Sequence, residues 1–233
     1  YRMANICENL KIINENIKKA ASVSGRKAEE ILIMAVTKTV EPERINAAIS
    51  AGIKYIGENR VQEFLAKREF LNLDGCEAHL IGHLQTNKVR QIVGKVDMIQ
   101  SVDSLKVAEE IGKRSINNGI VTKVLMEINI GGEAEKFGFP VSSVMEDIYA
   151  LSEIEGISVL GLMTVPPLSG DSIKNRKYFS NMYRLFVDIG DRNIDNVCMK
   201  ILSMGMSGDY SDAVMEGANL VRIGSAIFGD RNY

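Results

Sequence analysis

Eight short apolar runs, each followed by a stretch of helical periodicity, constrain this chain more than any other feature. The runs fall at 31–36, 53–57, 78–82, 96–100, 122–130, 157–163, 199–204 and 219–223. Between them lie polar-faced stretches such as EPERINAAISAG, DSLKVAEEIGKRSINNG and NRKYFSNMYRLFVDIG, several of which stop at a glycine, as helices often do. Strands alternating with helices imply a parallel sheet with helical crossovers. Continuous apolar strands such as ILIMAV and KVLMEINI fit burial on both faces. An open doubly wound sheet and a closed (β/α)8 barrel both satisfy that pattern. Eight units in 233 residues fit the barrel better, since that fold typically uses ~250 residues. The expected fold is therefore α/β: a single (β/α)8 TIM barrel forming one domain over residues 1–233. An extra N-terminal helix precedes it, with Ile6, Leu10, Ile13 and Ile17 on one stripe. The shortest helical stretches are expected at 86–93 and 209–217.

Composition narrows the function classes. A formal net charge of −2 and a pI near 5.9 offer no general attraction to nucleic acid or anionic membrane. No apolar run approaches the ~20 residues a membrane span needs. The three cysteines, Cys7, Cys76 and Cys198, are far apart, odd in number and without a CxxC pair. They suggest neither zinc site nor disulfide framework, and fit reduced thiols in a cytoplasmic protein. His79 and His83 are four apart on what reads as one strand, with no third ligand placed, so no metal site is expected. GGEAEKFG lacks the lysine and serine of a Walker loop, and the methionines mostly sit at core spacing.

In a barrel of this kind the chemistry lies at the carboxyl ends of the strands. There the chain carries Lys38, GENRVQE, IGHLQTNK, NIGGEAEKFG, GLMTVPP, SMGMSGD and RIGSAIFG. The loops after the last two strands are the recurrent phosphate cradle of the fold. SMGMS supplies the Ser203 and Ser207 hydroxyls, with Gly205 for close backbone approach; RIGSAIFG supplies Gly224 and Ser225. Either segment alone reads equally as an ordinary glycine turn, and the pair in the right two loops favours a phosphate site.

Lys38 ends the first strand, where a solvated lysine is the commonplace reading. Opposite a phosphate cradle, another reading gains weight. A lysine desolvated in an apolar wall favours its neutral amine, which attacks carbonyls. A phosphate-bearing aldehyde that condenses with lysine is pyridoxal 5′-phosphate (PLP). PLP sites pair a Schiff-base lysine with an Asp or Arg at the pyridine nitrogen. Arg222, on the last strand and on the face shared by Leu220 and Gly224, can supply that partner.

The segments AVTKTVEPERINAAISAG, YIGENRVQE, HLIGHLQTNK, IQSVDS, GLMTVPP and SMGMSGDYSDAVMEGANLVRIGSAIFG cover nearly the whole chain in order. Together they resemble the pyridoxal phosphate homeostasis protein family, which shares the barrel of alanine racemase's N-terminal domain. The resemblance implies PLP held as a Schiff base on Lys38, with Arg222 beside the pyridine nitrogen. It implies phosphate contacts from the SMGMS and RIGS loops and ring packing from Asn59 and Met204. Serine in RIGS and threonine in AVTK replace a common threonine and serine respectively, which keeps both hydroxyls.

An arginine at the pyridine nitrogen disfavours a second positive charge there, so carbanion stabilisation is weak. That suits storage or racemisation better than transamination. Racemisation needs a second base, which the racemases take from a further C-terminal domain; here Tyr210 is the one tyrosine near a late strand end and reads as a loop residue. The family implies a protein of intracellular PLP (vitamin B6) homeostasis that delivers cofactor to apo-PLP-dependent enzymes without robust catalysis, as a monomer or weak dimer. The alternatives are a PLP-dependent amino-acid racemase and a cofactor-free lysine aldolase; the aldolase leaves Arg222 unexplained. His83, Gln85, Asn87 and Lys88 at the mouth stand evenly between ligand contact and helix capping. Lys136 reads as a solvated loop lysine or as an attractor for anionic cofactor.

Overall fold

The computed structural model describes residues 2–167 and 172–229. Eight parallel strands close on themselves: β1 (Leu32–Val36), β2 (Tyr55–Glu58), β3 (Glu77–Leu80), β4 (Met98–Val102), β5 (Thr122–Asn129), β6 (Ile157–Met163), β7 (Val197–Ser203) and β8 (Leu220–Ile223). Each pairs with its neighbours in chain order, and Leu32 to Ala35 register against Leu220 to Ile223 to shut the ring. A two-residue strand, Phe139–Pro140, adds to the end of β5. Every expected strand is present, shifted by two residues or fewer at its ends.

The helices are α1 (Arg2–Val23), α2 (Pro42–Ser50), α3 (Val61–Arg68), α4 (Val89–Ile92), α5 (Leu105–Asn117), α6 (Val144–Ser152), α7 (Ser172–Gly190), α8 (Tyr210–Met215) and α9 (Ser225–Phe228). The thin stretch at 86–93 is a 3-10 turn, Thr86–Lys88, running into the single turn of α4. In α1 the stripe Ile6, Leu10, Ile13 and Ile17 is buried as its spacing predicts. Its polar edge ties the helix to the closing units: Asn9 Nδ2 donates to the Ile227 carbonyl and Asn16 Nδ2 to the Tyr210 hydroxyl, both at 2.9 Å.

Two apolar layers follow from strand alternation. Outward side chains such as Ala35, Ile56, Val124 and Val221 pack with the helices into one large core. Inward ones, Met98, Leu125 and Met163, form a small apolar plug with Leu160 and Ile201. One glycine is obligatory for closure. Gly161, at φ 145°, sits where β6 shifts register against β7, and a Cβ there would lie 1.9 Å from the Ile201 carbonyl oxygen.

β3 ends sooner than its apolar run suggests, so His83 lies beyond the strand and only His79 within it. Just beyond the strand Gly82 packs closely on Asn59; a Cβ would meet the Asn59 carbonyl oxygen at 2.2 Å.

Candidate functional site

Lys38 lies two residues beyond the end of β1, half-buried at the carboxyl-end mouth. The Val40 N–H donates to the Thr37 carbonyl at 3.0 Å, closing a turn with Lys38 and Thr39 at its corners. Among the described residues no hydrogen bond or ion pair engages the Lys38 amine. Its place just past β1 sets this lysine at the carboxyl end of the barrel.

Arg222 is 3% exposed and points into the barrel. Its Nη1 donates to Ser203 Oγ at 2.6 Å and its Nη2 to the Thr164 carbonyl at 2.7 Å. Guanidinium can only donate, and this fixes the direction of every bond beyond it. Ser203, having accepted from Arg222, donates to Gln100 Oε1 at 2.7 Å. The Gln100 amide nitrogen then faces His79 Nδ1 at 2.9 Å, so Nδ1 must accept. His79 consequently carries its proton on Nε2, which donates to Glu77 Oε2 at 3.2 Å. A single hydrogen-bonded file thus crosses the barrel interior from Arg222 to Glu77.

Burial lowers Arg222 to about 10, opposed by the carboxylates of Glu127 and Asp209, so it stays cationic at neutral pH. Glu127, near the end of β5, is pushed up to about 7 by burial and by Asp103, with Arg222 acting the other way. Asp209 is also raised, by burial first, although its Oδ1 accepts the Met206 N–H at 2.6 Å.

The two late loops meet as expected, with different labour for their two serines. Ser207 Oγ accepts from the backbone N–H groups of Gly224 (3.2 Å) and Ala226 (3.3 Å). These donors lie at the start of α9, at the kind of helix end where anions bind, and here the Ser207 hydroxyl engages both. Ser225 is exposed beside them. Ser203, by contrast, is 0% exposed, with its proton given to Gln100 and a lone pair to Arg222. In this arrangement Ser203 is taken up by the barrel interior, where it orients Arg222.

Ser203 points inward, so the next side chain points outward, and Met204 is fully buried in the core between barrel and helices. Met206, beside Ser207, is partly exposed.

Asn59 follows β2, and its buried Oδ1 has no hydrogen-bond partner among the described residues. Native proteins pair nearly all such atoms, so this oxygen calls for a polar group from outside the chain. Elsewhere on the rim, His83 Nδ1 lies 2.6 Å from Asp103 Oδ2, and its ring stacks on Phe137 at 3.6 Å. The Gln85 side chain makes no capping bond and is exposed, as is Asn87. Lys136 pairs with Glu133 at 2.6 Å. Tyr210 opens α8 rather than lying in a loop, and its hydroxyl is engaged by Asn16 of α1. Among the described residues, no three His, Cys, Asp or Glu side chains are grouped to hold a metal, and no helix is long and apolar enough to cross a membrane.

Sequence reasoning missed Gln100, Glu127, Asp209 and the Thr164 carbonyl. Gln100 did leave a signal, as the polar residue at the centre of an apolar strand. Glu127 left the same signal in KVLMEINI. A main-chain acceptor such as Thr164 leaves none.

Three kinds of known protein resemble this chain. The family model described as "Alanine racemase, N-terminal domain" matches residues 9–232. A pyridoxal phosphate homeostasis protein of Aquifex aeolicus (strain VF5) is 43% identical over 229 residues, spanning 98% of this chain and 100% of that protein. A crystal structure of an unknown protein from Bifidobacterium adolescentis superposes with a TM-score of 0.93 at 35% identity, covering 97% of this chain and 96% of the other. PipY of Synechococcus elongatus, solved with PLP bound, gives 0.81 at 30% identity, over 96% and 100% of the two chains.

Proposed function

Since the chain belongs to the pyridoxal phosphate homeostasis protein family, with the alanine racemase N-terminal barrel, we propose that it binds PLP at the carboxyl-end mouth. In this reading it keeps the intracellular supply of that cofactor in balance and passes it to apo-enzymes, without robust turnover of its own. The observation that carries the reading is Arg222. A cation sealed inside the barrel, its orientation imposed by the file through Ser203, Gln100 and His79, lies on the strand that pairs with β1, and Lys38 lies two residues beyond the end of β1.

The residues present fit the cofactor. The unpartnered Asn59 Oδ1 suits a hydroxyl donor on the ring. The N–H groups of Gly224 and Ala226, gathered on Ser207 Oγ, suit a phosphate, with Ser225 alongside. Arg222 would face the pyridine nitrogen. When bound, PLP supplies an aldehyde that condenses with an amine, and Lys38 would be that amine. Arg222 disfavours protonation of the ring nitrogen, which weakens the ring as an electron sink and favours holding over turnover.

We read the chain further as one cytoplasmic barrel domain, monomeric or weakly dimeric, whose recipients are apo-PLP-dependent enzymes. The purified protein should be yellow, lose its colour on borohydride reduction, and gain the mass of reduced cofactor on Lys38. Lys38→Ala should abolish both changes. An unchanged absorbance spectrum in that variant refutes the assignment. Release is tested by transfer of bound cofactor to an apo-enzyme in the presence of a trap for free aldehyde; activity that appears only without the trap rules out direct delivery.

A further inference from the structure

Two lysines approach the carboxyl end of β1 and are treated in opposite ways. The Lys38 amine has no partner among the described residues. Lys67, the penultimate residue of α3, is held at three points: by the Thr37 carbonyl at 2.9 Å, Glu63 Oε1 at 2.6 Å and Glu58 Oε2 at 3.3 Å. Glu63 also accepts the backbone N–H of Thr39. The residues on both sides of Lys38 are therefore fastened to one face of α3.

The turn they fasten is one the backbone resists. Thr39 has φ 60°, a left-handed conformation in which a β-branched residue is an outlier. It is the third residue of a four-residue turn, where positive φ is ordinarily left to glycine or asparagine. Strained backbone persists only where its surroundings over-determine it. Here the surroundings are Val40 N–H and Lys67 Nζ sharing the Thr37 carbonyl, with Glu63 on Thr39. Below them, Thr37 Oγ1 lies 3.0 Å from buried Glu58, which closes the group onto β2.

We infer that Lys67 and Glu63 are positioning residues for Lys38, locking the strained Thr37–Val40 turn so that its amine is presented to the mouth in one orientation. The inference rests on the proposed PLP reading for the identity of the electrophile, while the clamp itself is a property of the chain alone. It also accounts for the choice of amine: α3 spends its own lysine on holding the turn and leaves the next one free.

The test titrates PLP against wild-type protein, Lys67→Met, Lys67→Arg and Glu63→Gln, reduces with borohydride, and measures label on the Lys38 peptide by mass spectrometry. Inorganic phosphate is used in parallel as a competitor, to read the phosphate loops independently of the lysine. Lys67→Met should raise the PLP concentration for half-labelling by about tenfold or more, a scale typical of a misplaced reacting group. Lys67→Arg, which keeps a cationic donor for the Thr37 carbonyl, should recover most of the loss. Glu63→Gln should lie between. The phosphate competition constant should be the same in all four proteins.

Equal half-labelling in wild type, Lys67→Met and Glu63→Gln overturns the inference. So does a variant in which phosphate competition weakens as much as labelling, because the clamp would then be general scaffolding. If Lys67→Met does not fold, Glu63→Gln against wild type decides. Absence of label at Lys38 in the wild type instead refutes the PLP reading, and reductive methylation of cofactor-free protein by formaldehyde and cyanoborohydride still compares Lys38 reactivity among the variants. Equal methylation rates there overturn the clamp on its own.

Discussion

Ser203→Ala removes one oxygen from the middle of the interior file and exposes what that file is worth. Arg222 Nη1 loses a charge-assisted bond of 2.6 Å, and Gln100 Oε1 loses its donor at 2.7 Å. Bonds to a charged group contribute about 1.5–3 kcal/mol, and a neutral one about 1 kcal/mol. With all partners buried, the expected loss is about 2.5–4 kcal/mol in the cofactor-free protein. For a chain of this size that lowers Tm by roughly 5–16 °C. The assay is urea denaturation, with Gln100→Leu and the double variant completing a cycle. Because both single changes delete the Ser203–Gln100 bond, the double variant should lose about 1 kcal/mol less than the two singles together. A Ser203→Ala change within about 0.5 kcal/mol of wild type, or strict additivity in the cycle, refutes the claim that Ser203 and Gln100 form one linked chain to Arg222.

Two further outcomes follow from the site and the barrel wall. Glu127 is raised in the folded state to about 7 from 4.5, so between those pH values the folded protein holds a proton that the unfolded chain has released. Stability therefore falls as pH rises through that window and levels off above it, by up to about 3 kcal/mol. Glu127→Gln should flatten that slope in denaturation measured from pH 4.5 to 8, and an unchanged slope contradicts the assignment. At Gly161, alanine would place a Cβ 1.9 Å from the Ile201 carbonyl oxygen at a φ of 145°. The expected cost exceeds about 3 kcal/mol, and a Gly161→Ala protein with native Tm would show that the β6 irregularity is dispensable.

The places of Lys38 and Arg222 could be read from the chain because one lies just past an apolar strand and the other within one. There a charged residue is anomalous and the period of two assigns its face. The meeting of Ser207 with Gly224 was legible for a related reason, since glycine and hydroxyl residues recur in two consecutive late loops. The directions taken by Ser203 and Met204, which sit in the same motif, were not legible in that way. Loop chemistry was read as if every polar or soft side chain faced the cofactor, whereas strand alternation continues one residue past β7 and turns Ser203 inward and Met204 outward. Tyr210 shows the other limit, because nothing local tells that its hydroxyl is engaged by Asn16, which precedes it by 194 residues.

The amino-acid sequence by itself determined the barrel, the order of its strands and the mouth to which its chemistry belongs, because those depend on periodicity and chain connectivity, which are local. Only the tertiary structure decided which groups touch. Arg222 owes its orientation to β4, β6 and β7, and Lys38 owes its turn to a helix some thirty positions along. Such pairings are set by closure of the ring, which brings distant strand ends within hydrogen-bonding reach, and no local pattern records them.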